Sequence, residues 1–189
     1  MDTKSGKIIV LAGPSGVGKG SIGSALLAHF PEMRFSVSVT TRPRREYEVE
    51  GKHYFFVSKE TFFEKIKGNE FVEFEEVYKN GHMYGTLISY IESAISQGKI
   101  LLLDMEAVGG LKVKNFHPQE TLAIFIKFPN EKTQLERLKK RGSDSEEQIK
   151  YRMERLPREL SLAEKYDKII INNDLQESIE QVIKLVESF

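Results

Sequence analysis

Cysteine is absent from all 189 residues. That excludes a disulfide framework, a thiol nucleophile and a thiolate metal site, so the fold has to hold by burial alone. Net charge is absent too: 28 basic and 28 acidic residues cancel, and no global field draws the chain to nucleic acid or to a membrane surface. No stretch approaches the roughly 18 consecutive apolar residues of a membrane span, and the opening Met1-Asp-Thr-Lys-Ser-Gly6 carries no hydrophobic segment of a secretory signal. Internal repeats and low-complexity linkers are missing as well. These absences predict a cytoplasmic protein that binds neither nucleic acid nor membrane. A chain of this length suits one compact domain with room for a small insert, and is short for two.

What is present is an α/β pattern. Short apolar runs bounded by turn residues recur at 7–12, 34–39, 53–57, 71–78, 99–104, 121–128 and 168–172. Helical periodicity predicts helices at 20–30, 59–67, 87–97, 131–140, 145–165 and 175–188. The runs 100–104, 122–126 and 169–171 are nearly all apolar, as parallel strands covered on both faces require, and should flank 7–12 in one sheet. Residues 34–86 differ: the runs there are aromatic and partly alternating, which predicts an inserted mixed or antiparallel subdomain. Leu175, Ile179, Val182, Ile183 and Val186 give the last helix a core-facing stripe. Pro157 lacks an N–H and is expected to kink the helix at 145–165.

Residues 13–19 read Gly-Pro-Ser-Gly-Val-Gly-Lys, directly after the first strand and directly before a helix. Glycines at that spacing let the backbone wrap an anion, so that N–H groups and the positive helix end converge on it while Lys19 reaches the outer phosphates. The strand before and the helix after supply the context that makes Gly13, Pro14, Ser15, Gly16, Val17, Gly18, Lys19, Gly20 and Ser21 a nucleoside-triphosphate site. A second constellation, residues 36–54, places three arginines within four positions, held extended by Pro43 and preceded by hydroxyl residues. On spacing alone a second phosphate site and a solvated loop are equally open.

The chain resembles the guanylate kinases. The resemblance rests on the phosphate loop, Ser-Val-Ser-Val-Thr-Thr-Arg-Pro-Arg-Arg at 36–45, Gly-Lys-His-Tyr at 51–54, Phe-Val-Glu-Phe at 71–74 and Tyr-Gly-Thr at 84–86. Leu-Leu-Asp-Met-Glu at 102–106, Arg-Gly-Ser-Asp-Ser-Glu-Glu at 141–147 and Ile-Asn-Asn-Asp-Leu at 171–175 follow in that family's order. It covers about residues 7 to 188. It implies a P-loop fold with a parallel central sheet (core 1–33, 87–136 and 156–189), a GMP-binding insert at about 34–86 and a helical lid at about 137–155. The implied reaction is ATP + GMP = ADP + GDP, with Mg2+ bound alongside ATP.

By the same resemblance Arg42, Arg45, Tyr54 and Tyr84 hold the GMP phosphate, which suits forked guanidinium and hydroxyl donors. Ser38, Glu73 and Thr86 bind guanine, whose N1–H and N2–H one carboxylate accepts side by side; adenine would leave Glu73 facing a lone pair. Without the family register, Glu73 reads as an exposed strand residue beside Glu75 and Glu76. Asp104 and Glu106 close a buried strand at the carboxyl edge, where open parallel sheets place ligands. The resemblance sets them near the phosphates and the guanine amino group. Glu106 stands where the family usually has aspartate, Val108 where it usually has glutamine, and His53, an ordinary strand-edge histidine, replaces a common aspartate. Arg137, Arg141 and Arg152 correspond to lid arginines on the transferring phosphoryl group, and Asn172 to a position near the ATP adenine. Gly20 shifts the loop hydroxyl to Ser21, leaving Ser21 and Asp104, directly or through water, as candidate magnesium ligands. Two other readings share the motifs: a guanylate-kinase-like module that binds protein ligands, and a kinase with another phosphorylated acceptor such as a ribose phosphate. The sequence leaves monomer and homo-oligomer undetermined.

Overall fold

The structure, a computed structural model, describes residues 6–76, 81–142 and 145–189, with the side chain of Arg141 left out. Residues 1–5, part of the opening on which the signal expectation rests, and the predicted strand end at 77–78 lie outside the described residues.

Strand β1 (Lys7–Ala12) is central in a parallel sheet with β2 (Met33–Phe35), β7 (Ile100–Met105), β8 (Thr121–Lys127) and β9 (Lys168–Ile171), in the order β2-β7-β1-β8-β9. Alternation along β1 explains its burial on both faces. Ile9 and Leu11 pack with Ile22 and Leu26 of α1 (Lys19–His29) and Val182 and Val186 of α7 (Leu175–Ser188). Ile8 and Val10 point the other way, to Ile91 of α3 (Ile88–Ser96) and Val113 of α4 (Ala107–Phe116). Leu175, expected in the α7 stripe, is exposed in the first turn.

The second sheet is mixed, in the order β4-β3-β6-β5, from β3 (Val39–Thr40), β4 (Phe55–Phe56), β5 (Phe71–Glu76) and β6 (Met83–Leu87), with α2 (Lys59–Lys67) between β4 and β5. The predicted single strand at 34–39 is therefore two strands in two sheets. The chain crosses between them at 36–38: the Ser36 N–H donates to the Leu102 carbonyl of the first sheet, and the Ser38 carbonyl accepts from the Phe55 N–H of the second.

Helix α5 (Glu131–Arg141) is capped by Asn130, and α6 (Glu146–Ser161) by a reciprocal Ser145–Gln148 capping box. The latter runs through Pro157 and ends at Ser161, short of the predicted 165; a separate 3₁₀ turn occupies Ala163–Lys165. Among the described residues no helix is long and apolar enough to cross a membrane.

Candidate active site

The loop between β1 and α1 is shaped by two steric demands. Gly13 has φ 139°, and a Cβ there would fall 2.0 Å from the Ile126 carbonyl oxygen; Gly18 has φ 103°, and its Cβ would meet the Asn172 amide at 2.6 Å. Only glycine fits either place. Helix α1 starts with neither a capping side chain nor an acidic residue in its first turn, so its leading N–H groups face outward for an anion. Lys19 folds back over the loop, its Nζ donating to the carbonyls of Gly13 (2.7 Å) and Pro14 (3.4 Å) and lying 3.8 Å from Asp104 Oδ1. Val17 is buried, whereas Gly20 and Ser21 are exposed at the start of α1.

Beside Lys19 opens a cavity of about 460 Å³ between the two sheets. It gathers Lys19, Ser38, Tyr54, Glu73, Tyr84, Thr86, Asp104 and Glu106, all singled out in the sequence, together with Phe35, Ser36, His53, Glu75 and Met105. Asp104 and Glu106 reach it because β7 ends there. Glu73 reaches it because β5 alternates, which puts Glu73 and Glu75 on the cavity face and Phe74 on the outer one. The exposed-strand reading of Glu73 is thereby excluded. The Thr86 hydroxyl donates to Glu73 Oε1 at 2.7 Å, and Gly109 of α4 leaves room behind the carboxylate. Burial raises the pKa of Glu73 against the opposing pull of Thr86, and burial likewise raises Asp104 against the opposing charge of Lys19.

Arg42 and Arg45 do not line the cavity. Arg42 stands behind Tyr84 and Tyr54: its Nε donates to the Tyr84 hydroxyl at 3.2 Å, and its guanidinium lies 5.4 Å from the Tyr54 ring. Its other two nitrogens clasp Glu48 at 3.0 and 2.6 Å. Arg45 is exposed and donates to the Tyr47 hydroxyl at 2.9 Å, while its backbone N–H bonds Glu48 at 2.7 Å. Glu48, only 5% exposed, is thus the organiser of the arginine loop. It passed unnoticed in the sequence because it sits among charges that read as solvated. Its one signal is the turn it shares with Arg45, whose carbonyl accepts from the Glu48 N–H.

The Arg42 fork, then burial in opposition, then the Arg45 N–H together bring the Glu48 pKa down from 4.5 to about 2. A depressed carboxyl stabilises the fold above its unfolded value and ceases to do so as pH falls through its folded one. The melting temperature of Glu48→Gln is therefore expected to lie below that of the parent near neutral pH, the gap narrowing from 4.5 and closing toward 2. Paired thermal melts across that range measure it; a gap that does not change with pH would exclude the ion pair as its source.

Arg137 and Arg152, expected on a lid, do not line the cavity. Arg137 donates to the Asn172 carbonyl at 3.1 Å and stacks over Phe128, while Arg152 is half-buried on α6. The Arg141 side chain lies outside the described residues. Asn172 is 1% exposed. Its amide donates to the Val17 carbonyl at 2.6 Å and accepts from Ser178, so its side chain braces the phosphate loop from below rather than opening toward a ligand. His53 lies in a turn, not at a strand edge, and accepts from the Val49 N–H.

No cluster of three or more histidines and carboxylates suited to a metal occurs among the described residues. Asp104 lines the cavity beside Lys19, and a single carboxylate oxygen donor suits magnesium, which retains water and phosphate oxygens as ligands; Ser21, exposed on α1, is not among the residues lining that cavity.

A lysine-bearing loop at the carboxyl edge of a parallel sheet, sharing a cavity with a second sheet that presents carboxyl, hydroxyl and phenol groups, defines a P-loop kinase of small phosphorylated acceptors. The family model for guanylate kinase matches residues 5–189. The guanylate kinase of Chlorobium luteolum is 42% identical over 97% of this chain and 92% of its own length, and that of Thermotoga maritima 39% identical over 97% and 87%. The crystal structure of guanylate kinase from Anaplasma phagocytophilum superposes with a TM-score of 0.73 at 30% identity, covering 98% of this chain and 86% of that one. The chain belongs to the guanylate kinase family.

Proposed function

We propose that the chain transfers the γ-phosphoryl group of ATP to GMP, giving ADP and GDP, as a cytoplasmic enzyme of purine nucleotide metabolism. The observation that carries this reading is the single cavity in which Lys19 stands beside the Thr86-anchored carboxylate of Glu73. The loop 13–21 cradles the ATP phosphates, and Lys19 turns from its own loop carbonyls to the outer ones. Glu73 accepts the two neighbouring guanine donors, with Ser38, Thr86 and Glu106 around the base. Tyr54 and Tyr84 take the acceptor phosphate from the cavity wall, and Arg42 and Arg45 join them by turning from Glu48 and Tyr47 as the insert closes. Catalysis is then alignment of two anions in line and neutralisation of their charge; no covalent intermediate and no protein base is required. Arg137, Arg141 and Arg152 add cations when the lid at about 137–155 and the insert at about 34–86 close on the core, which also excludes water. Asn172 serves ATP indirectly, by fixing the loop.

Ser21 and Asp104 would hold magnesium, directly or through water. Bound with ATP, that ion supplies positive charge on the phosphate oxygens.

A coupled assay with MgATP and, in turn, GMP, AMP, CMP, UMP or ribose bisphosphate tests the reading. GMP is the expected preferred acceptor, and preference for any other would overturn the substrate assignment.

A further inference from the structure

Glu106 occupies the N-cap position of α4, where a side chain would ordinarily turn back to the helix N–H groups, yet it makes no capping bond. Its carboxylate instead reaches across to the lid helix and accepts from Arg155 at 3.3 Å. Arg155 is itself held in place: its Nε lies 3.6 Å from Glu159 Oε1 one turn on, and its guanidinium 5.7 Å from the Tyr151 ring one turn back. Across the cavity wall stands Glu75, on the same face of β5 as Glu73. One guanidinium thus contacts two carboxyl groups, Glu106 of the core and Glu159 of α6, and is close enough to feel the charge of a third, Glu75 of the second sheet.

We propose that Arg155 is a positioning residue: it holds the Glu106 carboxylate at the acceptor pocket and so ties the lid helix to the base-binding end of the cavity. The inference rests on GMP being the acceptor and goes beyond it, because Arg155 need touch neither substrate. Without the guanidinium, Glu106 keeps only its hydrogen bond with Glu159 and faces that carboxyl and Glu75 in a half-buried site, a repulsion that grows as the two ionise and drives it from its place.

The surplus of acid shows in the titration of the cluster. Burial first, and then the charge of Glu106, push both Glu75 and Glu159 up to about 7, while Arg155 opposes the rise. Glu73 from its own strand and Lys112 from α4 also act on Glu75, and Lys19 acts on Glu159. Raised carboxyls favour the assembled cluster while protonated, so the tie is firmest below the ordinary carboxyl value of 4.5, loosens as pH rises from there, and is weakest once pH has passed about 7. Removing Arg155 removes the opposing charge and moves that inflection to higher pH.

The test is steady-state kinetics on the full chain from about pH 6 to 8.5, with Arg155→Met, Arg155→Lys, Glu106→Gln and the Arg155→Met/Glu106→Gln double variant. Arg155→Met is expected to raise KM for GMP about tenfold and to leave KM for ATP within about twofold. It should shift the inflection in KM for GMP upward, with Arg155→Lys recovering part of the loss. In the Glu106→Gln background it should add less than about twofold. Equal losses for both substrates, additive effects or an unmoved inflection would each overturn the proposal. If Arg155→Met does not fold, Arg155→Lys combined with Glu106→Gln decides: non-additive effects on KM for GMP support it and additive ones overturn it. The parent enzyme in the same assay judges the acceptor separately. Where it prefers another acceptor, that reading fails and the same criteria apply to the acceptor found.

Discussion

Replacing Lys19 with alanine is expected to cut kcat by about a thousandfold or more while the protein stays folded. The ammonium stands at the mouth of the loop and lines the cavity. It is held by two loop carbonyls and faces Asp104. Those contacts are available to exchange: phosphate oxygens are better partners than neutral carbonyls, because both members of the pair are then charged. Loss of the side chain leaves the loop backbone intact, since the positive-φ glycines and the Asn172 brace, not Lys19, fix its path. The melting temperature should therefore fall by about 3–12 °C, matching one charge-assisted hydrogen bond in a chain of this size. Asp104, relieved of the cation that opposes its burial, should titrate higher still. Turnover and thermal melts measured side by side check the claim. Undiminished turnover would remove Lys19 from the chemistry, and a collapsed melt would make it a structural residue.

The parts of the fold that were legible in the sequence are those whose burial is uniform. Strands β1, β7 and β8 are covered on both faces, so their composition alone announces them, as does the amphipathic stripe of most of α7. Helix α4 was hidden by Val108-Gly-Gly110, a pair of glycines that costs about 1 kcal/mol each relative to alanine in a helix. They are there for space: a Cβ at Gly110 would come 2.5 Å from the Tyr166 hydroxyl, and one at Gly109 3.2 Å from Glu73. Strand β6 was hidden for a similar reason, Gly85 yielding room to the Phe71 ring. In both cases an element gave up its local signature to let its neighbours pack close.

The candidate site divides the same way. Glycine spacing and chain order reveal the loop, but nothing local distinguishes Glu48 or Glu75 from the solvated acids around them. Their burial arises only when Arg42 folds over one and the cavity forms beside the other. Arg155 is equally silent, since an arginine one turn from a glutamate on a charged helix reads as surface. Its reach to Glu106 exists only in three dimensions.

Glu73→Gln should raise KM for GMP about a hundredfold or more and leave KM for ATP within about twofold. The substitution preserves volume and nearly preserves shape, so the loss comes from hydrogen-bond polarity. Thr86 fixes the outcome: its hydroxyl donates to Oε1 at 2.7 Å, and a glutamine amide keeps that bond only by turning its own oxygen to Thr86. The NH₂ group then faces the cavity, where guanine also presents donors, and donor meets donor in a buried place. The alternative orientation directs the amide NH₂ at Thr86 and leaves only one oxygen for two guanine donors. Either way one hydrogen bond is lost and a buried polar group goes unpaired, whereas adenine, with an acceptor at N1, loses its main obstacle. AMP should accordingly gain relative to GMP in the ratio of kcat/KM. Equal changes in KM for both substrates, with no shift toward AMP, would show that Glu73 does not face the base.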